Sequence, residues 1–210
     1  MTSGLQHTFK RGACMGLEIK TLPLVKIKAG LPCVKPQHVS NPVTEDHPAI
    51  EVMTDFTIVS PVTIEPFFSL DLALDRMKTM GVRLLLVTDE HDYINGVLTS
   101  YDLQSEKPVR YVEETGISHR DINVGMIMTP ISDTPAVDLD YVRQSLVRHI
   151  INSIKELDRP HMLVVETVAS GRQQIRGLFS TSQIGKVLGR KIYEPLKASY
   201  SLAQMKESRG

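Results

Sequence analysis

The sequence predicts a mixed α/β (α+β) protein: two copies of one βαββα unit, packed sheet to sheet with pseudo-two-fold symmetry. Three echoes predict it. GVLTSYDL at 96–103 returns as GLFSTSQI at 177–184, 81 positions later. RLLLVTD at 83–89 returns as HMLVVE at 161–166, an offset of 78, and Met53-Thr54 returns as Met128-Thr129, an offset of 75. Five consecutive elements agree in order, which is the mark of a duplicated supersecondary unit. Each half has only about 55–65 residues and is marginal alone, so the apolar faces of the two sheets are expected to cover each other.

The elements follow in order. Residues 1–49 form an arm with prolines at 23, 32, 36, 42 and 48, because proline removes a donor and blocks helix interiors. LPLVKIK (22–28) is its one candidate strand; docking on the body and a partly ordered tail both remain open. The first repeat, 50–107, opens with PVTIE (61–65), a β-rich run between prolines. SLDLALDRMKTM (69–80) sets Leu70, Ala73, Leu74, Met77 and Met80 at helical spacing, with Ser69 as N-cap and Gly81 as the stop. LLLVTD (84–89) and INGVLTS (94–100) are strands around a polar turn. TSYDLQSE then reads as a helix start, a hydroxyl followed by an acid three residues on.

Residues 108–121 are the link. The second repeat, 122–190, repeats the plan: NVGMIMTP echoes IEVMTDF, and TPAVD (134–138) echoes PVTIE. YVRQSLVRHIINSIKEL (141–157) reads as one long amphipathic helix, and IRGLFS (175–180) echoes INGVLT. The growing offsets imply a longer helix and a longer hairpin in the second copy. Residues 191–210 are a basic tail.

Charge is zero overall across 210 residues but uneven along the chain. Residues 1–50 carry six Lys/Arg against three Asp/Glu, 51–185 carry twelve against nineteen, and 186–210 carry six against two. An acidic body with basic ends speaks against nucleic acid as main partner. Cys14 and Cys33 form no CxxC, so neither a disulfide framework nor a zinc site is predicted, and free thiols in a reducing cytoplasm are expected. No membrane span and no signal-peptide core is found. Met15 remains open as an alternative start.

A Met-Thr pair, a short strand, an amphipathic helix, a hairpin and then Gly-apolar-apolar-Thr/Ser-x-x-Asp resembles the cystathionine-β-synthase (CBS) domain. Two in tandem resemble a Bateman module, over about 50–190. The resemblance implies a non-enzymatic sensor that needs no cofactor. As ligand it implies an adenosine-type nucleotide (AMP, ADP, ATP, S-adenosylmethionine, sometimes cyclic di-AMP) bound between the repeats. It also implies pairing into a flat homodimer. With no effector domain evident, any output is expected to reach an effector protein in trans.

The residues agree with that expectation. Gly96 admits a close approach to the backbone. The Thr99 hydroxyl suits ribose or phosphate, and Asp102 can accept from a ribose diol. The strand Val62-Thr63-Ile64 and Val97 offer apolar walls to a base. Without the echo, Thr99 and Asp102 would read as an ordinary helix cap and its acid. In the second copy Ser180 keeps the hydroxyl, but Gln183 replaces the acid and lacks its charge. That cleft is expected to be the poorer or altered one. Arg83 and His161 are equivalent at the strand entrances, where the resemblance places phosphate contacts, with Arg120 and Arg159 nearby. For any one of them a solvated strand end is the competing reading, and His149 reads as a tolerated helix residue.

No GxGxxG, P-loop, HExxH or GxSxG occurs, so no dinucleotide, hydrolytic or metal-protease chemistry is predicted. The main alternative is a structural dimerisation module with vestigial clefts. An undetected nucleotide-acting enzyme and nucleic-acid binding through the basic ends are the remaining rivals.

Overall fold

A computed structural model describes the fold. The chain divides into two units, Met1–Val39 and Ser40–Gly210; of the first Ala29 is described, and of the second residues 42–193. The candidate strand at 22–28, both cysteines, Met15 and most of the basic tail lie outside the described residues.

The second unit contains β1 (Thr54–Asp55), β2 (Thr63–Ile64), α1 (Leu70–Met80), β3 (Leu84–Thr88), β4 (Ile94–Thr99), α2 (Ser100–Gln104) and α3 (Lys107–Thr115). Then come α4 (Val124–Ile127), β5 (Thr129–Pro130), β6 (Ala136–Asp138), α5 (Leu139–Arg143), α6 (Val147–Leu157), β7 (His161–Thr167), β8 (Gln173–Ser180) and α7 (Thr181–Leu188). Helix α1 is as expected: the Ser69 side chain accepts from the Leu72 amide, and Gly81 closes it at φ 65°. Part of the expected link is helical, as α3, and ends on Gly116 in the left-handed region.

Two four-stranded sheets form, in the orders β2-β3-β4-β5 and β1-β8-β7-β6. Within each, the core is the same: a parallel strand beside an antiparallel hairpin. The outer strand is exchanged. β1, from the first half, pairs with β8 of the second, and β5, from the second half, pairs with β4 of the first. The registers match, with Gly177 opposite Asp55 and Leu178 opposite Thr54, just as Gly96 stands opposite Pro130 and Val97 opposite Thr129.

The expected sheet-to-sheet packing is present. Leu84, Leu86, Val97 and Leu163 are buried together between the sheets, with Phe56, Ile131 and Leu178 against them. Two larger cores lie under the helices, one per half. Ala49 and Val52 are buried in the second half's core, so the chain just before β1 packs on the second half.

The long helix expected at 141–157 is divided. Asp138 caps the short α5, accepting from the Asp140 amide, and Leu146 is extended at φ −100°, ψ 160°. The cause is tertiary. Residues 45–49 run alongside the break, where the Ala49 amide donates to Ser145 O, Val147 to His47 O and Arg148 to Glu45 O. These bonds are worth more than continuing an apolar stripe, which both α5 and α6 preserve. His149 then closes the α6 entry, its Nδ1 accepting from the Leu146 amide at 3.2 Å. No helix among the described residues is long and apolar enough to cross a membrane.

Candidate functional site

Each strand exchange seals on a glycine. A β-carbon on Gly96 would lie 2.7 Å from the Thr129 carbonyl oxygen and 2.8 Å from Met128 Sδ. One on Gly177 would overlap the Thr54 carbonyl, with Met53 Sδ at 3.3 Å. The close approach expected at Gly96 is therefore made by the exchanged strand and not left open to a ligand. The Met-Thr phrase and the glycine phrase, both visible in the sequence, are partners across the two halves.

Thr99 and Asp102 are brought together as a reciprocal cap at the start of α2. Asp102 Oδ2 accepts from the Thr99 amide at 2.9 Å and its hydroxyl at 2.6 Å, while Thr99 Oγ1 accepts from the Asp102 amide at 3.1 Å. Lys107 Nζ lies 3.4 Å from Asp102 Oδ1. The side chain is 9% exposed. A carboxylate expected to be offered to a ribose diol is instead engaged at both oxygens. The second copy differs. Ser180 is buried and caps α7, accepting from the Gln183 amide at 3.1 Å, but Gln183 is exposed, and its side chain makes no hydrogen bond among the described residues.

The walls expected for a base are mostly turned inward. Ile64 is buried in the first half's core with Val62 packed against that core, Thr63 is half-buried, and Val97 lies between the sheets. Arg83, Arg120 and Arg159 are exposed. His161 stands opposite Ser180 in the β7–β8 ladder. Its Nδ1 is buried without a partner among the described residues. Burial, opposed by the charge of Asp102 and assisted by that of Arg83, holds its pKa at about 4. Arg83 and Asp102 of the first half thus share one electrostatic neighbourhood with His161 of the second.

An open cleft of about 320 Å³ lies at the other exchange, lined by Met53, Thr54, Asp55, Ile58, Val59 and Gln183. This volume is at the small end of ligand pockets. Asp55 is its organised member. Its Oδ1 accepts from the Thr57 amide at 2.8 Å, from the Thr57 hydroxyl at 2.7 Å and from Arg176 Nη1. Arg176 also faces Glu166, with Nε 3.6 Å from Oε2. The Arg176 hydrogen bond, with help from Thr57, lowers the Asp55 pKa to about 2 against a smaller effect of burial. Asp55, Ile58 and Val59 are residues that sequence reasoning missed. The available signal was that Asp55 follows Met53-Thr54 where Pro130 follows Met128-Thr129.

No protein-family model matches the sequence, and no curated protein matches it. Solved structures do. An uncharacterised conserved protein from Pyrococcus horikoshii is similar over 72% of this chain and 99% of its own, at 20% identity and a TM-score of 0.50. Other solved structures similar to this chain are CBS-domain proteins. CBSX2 of Arabidopsis thaliana, solved in complex with AMP, aligns with 67% of this chain and 94% of its own at 20% identity and a TM-score of 0.46. A CBS-domain protein from Agrobacterium tumefaciens covers 61% and 84% at 20% identity and 0.45. At such identities the likeness is one of fold. Within the repeat, Asp102 ends the first copy's hydroxyl-x-x-acid phrase, and Gln183 takes that place in the second.

Proposed function

We propose that this CBS pair is a non-enzymatic regulatory module that binds an adenosine-type nucleotide between its repeats. As a homodimer it would pass the bound state to an effector protein in trans. The observation that carries the reading is the cleft of about 320 Å³ whose walls come from both repeats, Met53, Thr54, Asp55, Ile58 and Val59 from the first and Gln183 from the second. A ligand there touches the exchanged strand β1 and the start of α7 together. It can shift the relation of the halves only by binding one arrangement more tightly than another. Calorimetric titration with AMP, ADP, ATP and S-adenosylmethionine tests it; heat of binding from at least one is expected, and silence from all four at millimolar concentration contradicts it.

A second reading is a structural dimerisation module with non-binding clefts. The engagement of both Asp102 oxygens favours it. It predicts a melting temperature indifferent to every nucleotide.

A further inference from the structure

The two strand-exchange junctions carry their acids on different elements. The paired registers make Asp55 and Pro130 equivalent, since each stands opposite the motif glycine of the sheet it enters. The motif position holds Asp102 in one repeat and Gln183 in the other. One junction therefore has a motif acid with a proline in the exchanged strand. The other has a motif amide with an acid in the exchanged strand. The carboxylate that the second motif lacks is supplied to the same cleft by the other half of the chain.

That carboxylate is the better placed of the two. Asp102 has both oxygens engaged. Asp55 has Oδ1 held by Thr57 and Arg176, while Oδ2 takes no hydrogen bond among the described residues. Held at one oxygen and open at the other, it is oriented before any ligand arrives, which reduces the ordering cost of binding. Around it stand Thr54, Met53, the exposed Gln183 and the apolar lip of Ile58 and Val59, with Ile58 81% exposed. An amide that both donates and accepts suits a purine edge, and thioether with aliphatic side chains suits its face.

Charge decides what else the ligand carries. Among the described residues, the lining of the cleft includes no cation. Arg176, which is bonded to Asp55, also faces Glu166, so this group of one cation and two carboxylates carries one negative charge in excess. Phosphates would meet that charge, whereas hydroxyl, amino or sulfonium groups would be drawn to it. We propose that the Asp55–Gln183 cleft takes an adenosine-type ligand without net negative charge, adenosine itself or S-adenosylmethionine, in preference to nucleoside di- and triphosphates. The proposal rests on the nucleotide-binding reading above and names the ligand class of one cleft.

The test is calorimetric titration of the full chain with adenosine, S-adenosylmethionine and ATP at near-neutral pH, on the wild type and three variants. S-adenosylmethionine is expected to bind at least about tenfold more tightly than ATP. Asp55→Asn is expected to weaken S-adenosylmethionine about tenfold and to narrow its lead over ATP. Ile58→Lys, at an exposed position that folding does not need, is expected to weaken S-adenosylmethionine and strengthen ATP, and it decides the matter if Asp55→Asn fails to fold. ATP binding more tightly than S-adenosylmethionine to the wild type overturns the proposal, as does S-adenosylmethionine binding that ignores Ile58→Lys. Binding lost in Asp102→Asn but retained in the other two variants places the ligand at the Asp102 junction, which overturns the proposal and spares nucleotide binding. If none of the three binds the wild type, this proposal falls, and the nucleotide-binding reading falls with it only if AMP and ADP are silent as well.

Discussion

The junction around Gly96 and the junction around Gly177 have the same backbone plan and different chemistry. In both, a Met-Thr strand from one half lies on a glycine of the other half's sheet. At Gly96 the incoming strand brings Pro130, and the nearby motif acid Asp102 is buried in its own cap. At Gly177 it brings Asp55, pinned by Arg176, and the motif amide Gln183 stands exposed beside an open cleft. The difference teaches that a motif acid is not the same as an available acid. The backbone register is the same in the two copies, while the side chains at the two junctions differ.

The largest effect expected is on the exchange itself. Gly177→Ala puts a methyl group into the Thr54 carbonyl, and Gly96→Ala puts one 2.7 Å from the Thr129 carbonyl oxygen. Backbone cannot swing aside as a side-chain tip does, so each should cost about 3 kcal/mol in chemical denaturation, Gly177→Ala more. Near-neutral behaviour of either would break the claim that the two phrases interlock.

Next comes pH. His161 is held neutral with a pKa of about 4, below its ordinary value of 6.5. The unfolded chain takes up the proton first as pH falls, so stability is lost between about pH 6.5 and pH 4 and is constant below. The loss should be about 3 kcal/mol, and His161→Phe should flatten the profile in that window. Asp55 has the same sense in a lower window. Its stabilisation is complete above its ordinary value of 3.8 and lost as pH falls through about 2. Arg176→Met, which breaks the clamp at 18% exposure of the Arg176 side chain, should cost about 1 kcal/mol near pH 7.

The smallest effects separate the two motifs. Asp102→Ala removes a reciprocal cap and should cost about 1 kcal/mol. Gln183→Ala removes an exposed side chain without a hydrogen bond and should change stability by less than about 0.5 kcal/mol. Equal losses in thermal melts would erase the asymmetry.

Much of the fold was legible because its signals are local. The α1 stripe, its Ser69 and Gly81 ends, and the β3–β4 hairpin each follow from residues within a few positions of one another. The echo between halves also predicted the packed sheets. The exchange was not legible, because β1 and β5 have two residues each, too few to show a period, and their partners lie more than a hundred and about thirty positions away respectively. The break before α6 was hidden because apolar spacing runs through it, and only the alignment of residues 45–49 reveals it. The site was legible as a motif and not as a geometry. Thr99 and Asp102 do meet, but which carboxylate oxygens remain open depends on Lys107 and on Arg176, and the second of these lies 121 positions from Asp55.

A crystal structure of the full chain grown with S-adenosylmethionine tests the central claim most directly. The account predicts the adenosyl group between Met53, Ile58 and Gln183, with a donor of the ligand on Asp55 Oδ2. A ligand seated at Asp102, or a cleft left empty at saturating concentration, would contradict it.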